Sequence, residues 1–190
     1  LAWRKQNKGQ TTPLMAFGAL ITVALWQLCT LGIAAEVLGM ILPWTFGLYG
    51  MDAQLARTLF WFTGHPLVYF WLLPAYVSWY GLMPKQAGGK LFSDPLARFS
   101  FWLFLLLSTP LGLHHQYMDP GVAAGWKFFH AVLTYAVFFP SMLTAFNVIA
   151  SMEYGGRARG GKGLFGWLRT LPWGEPSFAT QALAMITFSL

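Results

Sequence analysis

Charged residues are scarce in this sequence and make up 9% of its 190 residues, whereas a soluble globular domain has about 25%. So few charges cannot cover a protein surface that faces water, which excludes an ordinary soluble domain. The same scarcity excludes disordered chains and nucleic-acid readers, which are rich in charge. Cys29 is the single cysteine, so an internal disulfide and a cysteine-based metal site are excluded as well.

Hydrophobic residues, in contrast, make up 56% of the chain and form long runs. A helix of roughly 20 apolar residues crosses a bilayer, and only helices or closed barrels span lipid because their backbone groups bond internally. No alternation of apolar and polar residues favours strands. The sequence therefore predicts an all-α fold, a polytopic transmembrane helix bundle with about four complete helices and the start of a fifth. The expected helices are residues 14–44, 59–83, 99–115, 127–152 and 178–190.

The expected domain organisation is a single membrane domain, residues 1–190, that is an internal fragment of a longer protein. The sequence begins without Met, its last apolar run continues to Leu190, and no signal-peptide cleavage site follows the first run. Within the second helix, Pro66 and Pro74 are expected to interrupt the helix, because proline removes a backbone hydrogen bond. Alternatively, Pro66 serves only to tilt the helix.

The twelve lysine and arginine residues are divided unequally between the connections. Successive connections between membrane spans lie on alternating sides of the membrane. Only Arg57 and Lys127 fall in the connections on one side, and the other ten fall in those on the other side. Lysine and arginine are enriched on the cytoplasmic side of membrane proteins, so this division predicts a multi-pass protein in a lipid bilayer, with the N-terminus of the fragment in the cytoplasm. No nucleic-acid partner is expected, since these charges do not form one soluble face. The ten are Arg4, Lys5, Lys8, Lys85, Lys90, Arg98, Arg157, Arg159, Lys162 and Arg169.

Three histidines are expected at a similar depth near the outer ends of two antiparallel helices. His65 lies near the outer end of the second helix, and His114 and His115 end the third. Adjacent helical residues diverge by about 100°, but Pro110 loosens the preceding turn, so both rings can point to one ion. Imidazole suits copper, zinc or iron, and the lack of nearby carboxylates and thiolates disfavours magnesium, calcium and structural zinc. Three nitrogen ligands leave a coordination position open, as a catalytic metal requires.

Two stripes of polar side chains follow the second and fourth helices. His65, Tyr69, Tyr76 and Tyr80 lie within about 60° of one another around the second helix. If the stripes face each other, they form a path for protons from the basic side to the metal. Alternatively, the tyrosines anchor the helix at the interface and the hydroxyls bond helix carbonyls. The stripe on the fourth helix consists of His130, Thr134, Ser141 and Thr144.

Tyr69 lies one helical turn from His65, so its phenol can give up a proton and an electron next to a metal ligand. Glu36 is the one acid deep within an apolar run, and it is either a proton site or an interfacial or neutral carboxyl group. Asp119 follows the histidine pair within Asp-Pro-Gly, and we expect it to shape a turn.

The segment Trp61–Tyr76, WFTGHPLVYFWLLPAY, followed by Ser108-Thr109-Pro110 and His114-His115-Gln116, resembles subunit I of the haem-copper oxygen reductases. The likeness is to the B-type (ba-type) cytochrome c oxidases in particular, and it extends along essentially the whole chain. Leu67 stands where A-type enzymes have Glu, so the proton route that ends at that Glu is expected to be missing.

The resemblance implies a terminal oxidase that reduces O2 to water and translocates protons. Electrons would come from cytochrome c through a dinuclear copper site on subunit II and a low-spin haem. The expected location is the bacterial inner membrane, and the expected partners also include the remainder of a subunit I with twelve or more helices. The fragment alone is expected to be inactive.

The same resemblance implies roles for individual residues. His65, His114 and His115 would ligate the copper of a binuclear centre that also contains a high-spin haem. Tyr69 would be the catalytic tyrosine, covalently joined to His65. No haem ligand is expected in this chain, because the remaining histidine, His130, does not ligate haem in the family. The expected proton path consists of Tyr76, Tyr80, Ser141 and Thr144.

Two other functions remain open. A nitric oxide reductase also has three histidines at its non-haem iron, but it adds carboxylates and lacks the ligand-linked tyrosine, so Leu67 and Tyr69 favour the oxidase. A non-catalytic polytopic module, such as a transporter or assembly subunit, would have no metal and no bond between His65 and Tyr69.

Overall fold

A computed structural model describes residues 2–189 of the chain. Leu1 and Leu190, the last residue of the predicted 178–190 helix, lie outside the described residues, as do the side chains of Ala2 and Arg4. All regular secondary structure within residues 2–189 is helical, which confirms the predicted all-α fold. The α-helices of this part of the chain are α1 (Ala2–Gln6), α2 (Leu14–Glu36), α3 (Leu42–Thr45), α4 (Ala53–Gln86), α5 (Asp94–Ser108), α6 (Ala124–Ala136), α7 (Phe138–Ala158), α8 (Gly166–Arg169) and α9 (Pro176–Ser189).

Three helical stretches among the described residues are long and apolar enough to cross a membrane. They are Leu14–Thr45, which joins α2 to α3 through a π-helical turn, Asp94–Gln116 and Ala124–Ala158. The 34 residues of α4 exceed the length that a span needs, but α4 is not one of these three. Its lower hydropathy has a physical cause, because α4 carries the histidine and tyrosines of the predicted polar stripe.

The predicted interruption of α4 by proline is wrong, because the helix is continuous through Pro66 and Pro74. Each proline removes one hydrogen bond, but the helical residues of α4 before and after each proline keep the backbone helical. The helix also begins at Ala53 rather than near residue 59. Asp52 explains this start, since its Oδ1 accepts a hydrogen bond from the Leu55 backbone N–H at 3.0 Å, as an N-cap residue does.

The predicted fourth helix consists of two helices, α6 and α7, that are separated at Val137. Pro140 accounts for the break, because it has no N–H to donate to the carbonyl of Ala136. In a similar way, α5 ends at Ser108, two residues before Pro110. A short 3₁₀ turn, Leu113–Gln116, then follows.

The chain divides into two compact units. The first unit contains the residues up to Leu20, Pro74–Phe99 and the residues from Met142 onward, and the second unit contains Ile21–Leu73 and Ser100–Ser141. All four histidines belong to the second unit, and most of the basic residues belong to the first.

Polar side chains connect the helices within each unit. In the second unit, Thr63 of α4 donates to the Cys29 carbonyl at 2.6 Å and accepts from the Ile33 N–H at 2.8 Å, both on α2. In the first unit, the Asn147 amide of α7 pairs with the backbone of Ser93 through two bonds of 2.7 and 3.0 Å. Such bonds between helices are typical of membrane bundles, where polar side chains have few other partners.

Candidate metal centre

The segment between α5 and α6 holds two histidines against α4. Gly112 lies so close to the backbone of Trp61 that no side chain would fit there. Leu113 begins the 3₁₀ turn, and its N–H donates to Nδ1 of His130 on α6 at 3.4 Å. The turn is therefore fixed on one side by α4 and on the other by α6.

The structure brings His65, His114 and His115 together. Their ring centroids are 4.3 Å apart for His65–His114 and for His114–His115, and 5.4 Å apart for His65–His115. One nitrogen of each ring can be chosen so that all three lie within 4.8 Å of one another. Nitrogens bound to one ion at about 2 Å lie at most about 4 Å apart, so small ring rotations suffice. Both adjacent histidines lie on the 3₁₀ turn after the end of α5, and their ring planes are 37° apart.

The environment of each ring orients it. His65 is buried, whereas His114 is half-buried and His115 is exposed. The ring of His115 stacks on Trp61, with centroids 3.8 Å apart and planes 9° from parallel. No local sequence pattern indicates this pairing of Trp61 with His115.

Thr134 of α6 determines which nitrogen of His114 is free. Its hydroxyl donates to the His130 carbonyl at 2.7 Å and lies 3.4 Å from Nδ1 of His114. Because a hydroxyl has one proton to donate, it accepts a hydrogen bond from His114 Nδ1–H. Nε2 of His114 then keeps its lone pair for a metal, which is the usual arrangement for a histidine ligand.

The cluster fits a transition metal. Nδ1 of His65 lies 3.2 Å from Nε2 of His115, a spacing that suits two nitrogens bound to one ion. Nε2 of His65 is buried without a hydrogen-bond partner among the described residues, so it stays free when Nδ1 binds the ion. A ligand set made only of imidazoles suits copper, iron or zinc and disfavours magnesium and calcium.

Tyr69 lies beside this cluster on α4. Its ring centroid is 4.8 Å from that of His65, with the planes at 60°, and 6.0 Å from that of Phe104. The two side chains are one helical turn apart, so the helix itself sets their proximity.

Two of the predicted proton-path residues form a hydrogen bond in the first unit. The hydroxyl of Tyr80 donates to Oγ1 of Thr144 at 2.9 Å, and both side chains are buried. Tyr76 is also buried there, and its ring packs on Trp79 with centroids 5.2 Å apart. Ser141 belongs to the second unit.

An ion pair next to the cluster was missed by sequence reasoning. Asp119 does lie in a turn, since its N–H donates to the Gln116 carbonyl at 3.0 Å. Its carboxylate also pairs with Arg57 of α4 at 2.9 Å, and Lys127 donates to its carbonyl at 3.0 Å and to that of Tyr117 at 2.6 Å. The signal in the sequence was that Arg57 and Lys127 are the two basic residues on their side of the membrane, where an acidic partner such as Asp119 is also present.

Glu36 is buried where α2 meets the π-helical turn. Among the described residues its Oε2 has no hydrogen-bond partner.

Comparison with known proteins gives one consistent result. The family model described as "Cytochrome C and Quinol oxidase polypeptide I" matches residues 1–190. Cytochrome c oxidase subunit 1 of Thermus thermophilus is 55% identical over 187 residues, which are 98% of this chain and 33% of that protein. Cytochrome c oxidase polypeptide 1 of Halobacterium salinarum is 33% identical over 113 residues, which are 58% of this chain and 18% of that protein.

A solved structure agrees with these matches. The cryo-EM structure of a haem-copper terminal oxidase dimer aligns with a TM-score of 0.86 and 46% identity, over 92% of this chain and 31% of that one. The chain thus spans about a third of the length of the Thermus protein and of this oxidase chain.

Proposed function

Because this chain belongs to the cytochrome c and quinol oxidase polypeptide I family, we propose that it is part of the catalytic subunit of a terminal respiratory oxidase. The oxidase reduces O2 to water at a haem-copper centre, takes electrons from cytochrome c and translocates protons. The family implies haem and copper, and the three-histidine cluster on α4 and the 3₁₀ turn is the observation that carries the proposal. The B-type assignment belongs to this proposal, supported by Leu67 at the position of the A-type Glu.

His65, His114 and His115 would hold the copper. When bound, copper supplies a redox centre for the reduction of O2. The protein residues orient the site: Thr134 keeps the proton on Nδ1 of His114, and Trp61 holds the plane of the His115 ring. Three imidazoles leave room for a further ligand.

Tyr69 would be the catalytic tyrosine. With Nδ1 of His65 directed at His115, the unpartnered Nε2 is the nitrogen left for a covalent bond to the Tyr69 ring. That bond would replace the Nε2–H and one ring C–H bond, and the two protons and two electrons released would go to O2, the oxidant of the proposed reaction. Such a bond would keep the phenol next to the copper ligands, where it can supply a proton and an electron for cleavage of the O–O bond.

We propose that no histidine in this part of the subunit is an axial ligand of haem. Of the four histidines in the sequence, three form the cluster and His130 accepts a hydrogen bond from Leu113 at 3.4 Å. We infer that both haems are ligated by other parts of subunit I. His115 is exposed, and we expect those other parts of subunit I to cover it.

The remaining partners and the location follow from the family. We propose a single membrane domain that includes α4 and α9, in a bacterial inner membrane with the N-terminus of the fragment in the cytoplasm. Its partners are the rest of subunit I, subunit II with its dinuclear copper, and cytochrome c. The three apolar stretches support the membrane location, and the distribution of lysine and arginine supports the orientation.

Metal analysis of the complete oxidase tests this function. We expect one copper in addition to the dinuclear site of subunit II, and its loss when the histidines of the cluster are replaced. Iron at this position would instead favour a nitric oxide reductase. Mass spectrometry of a peptide containing both His65 and Tyr69 tests the covalent bond, and a non-catalytic module would show neither the metal nor the bond.

Tyr80→Phe tests the proton path. The change removes the hydroxyl that bonds Thr144 and keeps the buried ring. We expect proton uptake by the complete oxidase to slow by up to about tenfold, the rate equivalent of one hydrogen bond of about 0.5–1.5 kcal/mol, with copper content unchanged.

The matched control is Tyr154→Phe, which removes a hydroxyl from an exposed tyrosine of the same unit. Thr144→Ser keeps a hydroxyl and should retain most of the rate, whereas Thr144→Val should not. Equal rates of proton uptake in Tyr80→Phe and the unmodified oxidase would show that this hydrogen bond is not part of the proton path.

A further inference from the structure

Two basic connections of the first unit pack directly on each other. They are residues 84–93, which include the end of α4, and residues 153–173, which include the end of α7 and all of α8. A Cβ on Gly89 would lie 3.0 Å from the Cα of Gly155, so small residues allow the two backbones to touch. Arg159 adds a hydrogen bond of 3.1 Å to the carbonyl of Gln86. The two connections therefore form one continuous surface.

This surface carries excess positive charge. Arg157 pairs with Glu153 at 2.6 Å, and Lys90 lies 5.5 Å from the ring centre of Tyr154. Lys162 and Arg169 are exposed, and no ion pair involves either of them within residues 2–189. The surface thus offers at least two cations for an external anion.

The two most exposed large apolar side chains of this surface lie between Lys162 and Arg169 in the sequence. Leu164 is 74% exposed and Phe165 is 68% exposed. The segment is nevertheless well anchored, because Trp167 is buried and its Nε1 donates to the Leu164 carbonyl at 3.1 Å. Thr170 adds a bond of 2.7 Å to the carbonyl of Gly156. The backbone therefore holds the apolar pair outward.

We infer that residues 162–169 form a binding surface for anionic phospholipids of the cytoplasmic leaflet. Leu164 and Phe165 insert at the boundary between head groups and acyl chains, and Lys162 and Arg169 bind lipid phosphates. Apolar side chains flanked by cations are the pattern of segments that lie in a membrane interface.

The inference rests on the proposed membrane orientation but not on the proposed oxygen chemistry. Lipid contact and oxygen consumption are measured separately, so each proposal can fail without the other. The surface belongs entirely to the first unit, and the histidine cluster belongs to the second.

A spin label at position 165 tests the insertion. The complete oxidase with Phe165→Cys is labelled and reconstituted in phosphatidylglycerol bilayers, and Cys29 is fully buried and protected from the label. We expect collisions with O2, which concentrates in lipid, to exceed collisions with a water-soluble nickel chelate. A label at Lys8→Cys, an exposed site, should show the opposite ratio. Preference for nickel at position 165, or protection from both reagents, would overturn the inference.

Charge removal tests the lipid class. Spin-labelled phosphatidylglycerol and phosphatidylcholine are compared for binding to the complete oxidase in phosphatidylcholine bilayers. We expect a preference for phosphatidylglycerol that is largely lost in Lys162→Gln/Arg169→Gln and retained in Lys5→Gln/Lys8→Gln, which has the same change of net charge. Equal losses in the two double variants would indicate only general charge attraction and would contradict a built binding surface.

Discussion

Tyr69→Phe in the complete oxidase is expected to abolish oxygen consumption while copper content remains unchanged. The substitution keeps the ring that packs 6.0 Å from Phe104 and removes only the hydroxyl. A catalytic proton donor contributes roughly 10²–10⁴-fold to a rate, so we expect the rate to fall by at least about 100-fold. Oxygen-electrode measurements and metal analysis of the same preparation check both halves of the expectation.

The control for Tyr69→Phe is Tyr135→Phe. Tyr135 belongs to the same unit but is 82% exposed on α6, so the loss of its hydroxyl should leave both oxygen consumption and copper content at the level of the unmodified oxidase. Mass spectrometry adds a second measurement, because the Tyr69→Phe variant is expected to lack the covalent bond to His65. Unchanged oxygen consumption in Tyr69→Phe would show that the tyrosine is not catalytic.

The convergence of the histidines could be predicted because it depends on residue counts along helices. In two antiparallel spans, the distance of each histidine from the end of its span sets its depth. The rise of about 1.5 Å per residue is a property of the backbone rather than of the side chains. His65, His114 and His115 therefore come together in the second unit as the spacing indicates.

The local path of the chain was harder to predict, because the same residue has different effects in different places. Pro66 lies within a continuous α4, whereas Pro140 coincides with a break between α6 and α7. In both cases one backbone hydrogen bond is missing. The outcome depends on how neighbouring helices pack, which no local pattern contains.

The ion pair between Arg57 and Asp119 could not be predicted for a related reason. The two residues are 62 positions apart, and each has an adequate local explanation, as a loop cation and a turn residue. Their contact depends on how the segment after α5 folds back on α4, where Gly112 approaches Trp61. A turn motif predicts the backbone of Asp119 but not the partner of its carboxylate.

Polarity and function are connected in α4. A helix with a histidine, several tyrosines and prolines is less apolar than its neighbours, and it is the long helix that length and composition alone do not mark as a span. Polar residues within a membrane are costly and tend to be functional. The deficit of hydropathy in α4 is thus informative about the site rather than evidence against a membrane location.

His114→Ala is expected to remove copper from the complete oxidase. The substitution deletes one of three nitrogen donors and leaves the hydroxyl of Thr134 with only the His130 carbonyl as a partner. Loss of a residue that only orients a ligand costs roughly 10–100-fold in metal affinity, so loss of the ligand itself should cost at least about 100-fold. Metal analysis should show the dinuclear copper of subunit II retained and the additional copper absent.

His130→Asn is the matched control for His114→Ala. Asparagine keeps an acceptor near the position of Nδ1, so the Leu113 N–H retains a partner and the 3₁₀ turn should still hold copper. The haem spectrum of each variant reports whether the complex has assembled. Added imidazole should restore part of the copper in His114→Ala, because it can occupy the space of the deleted ring. An assembled His114→Ala oxidase with full copper content would exclude His114 as a ligand.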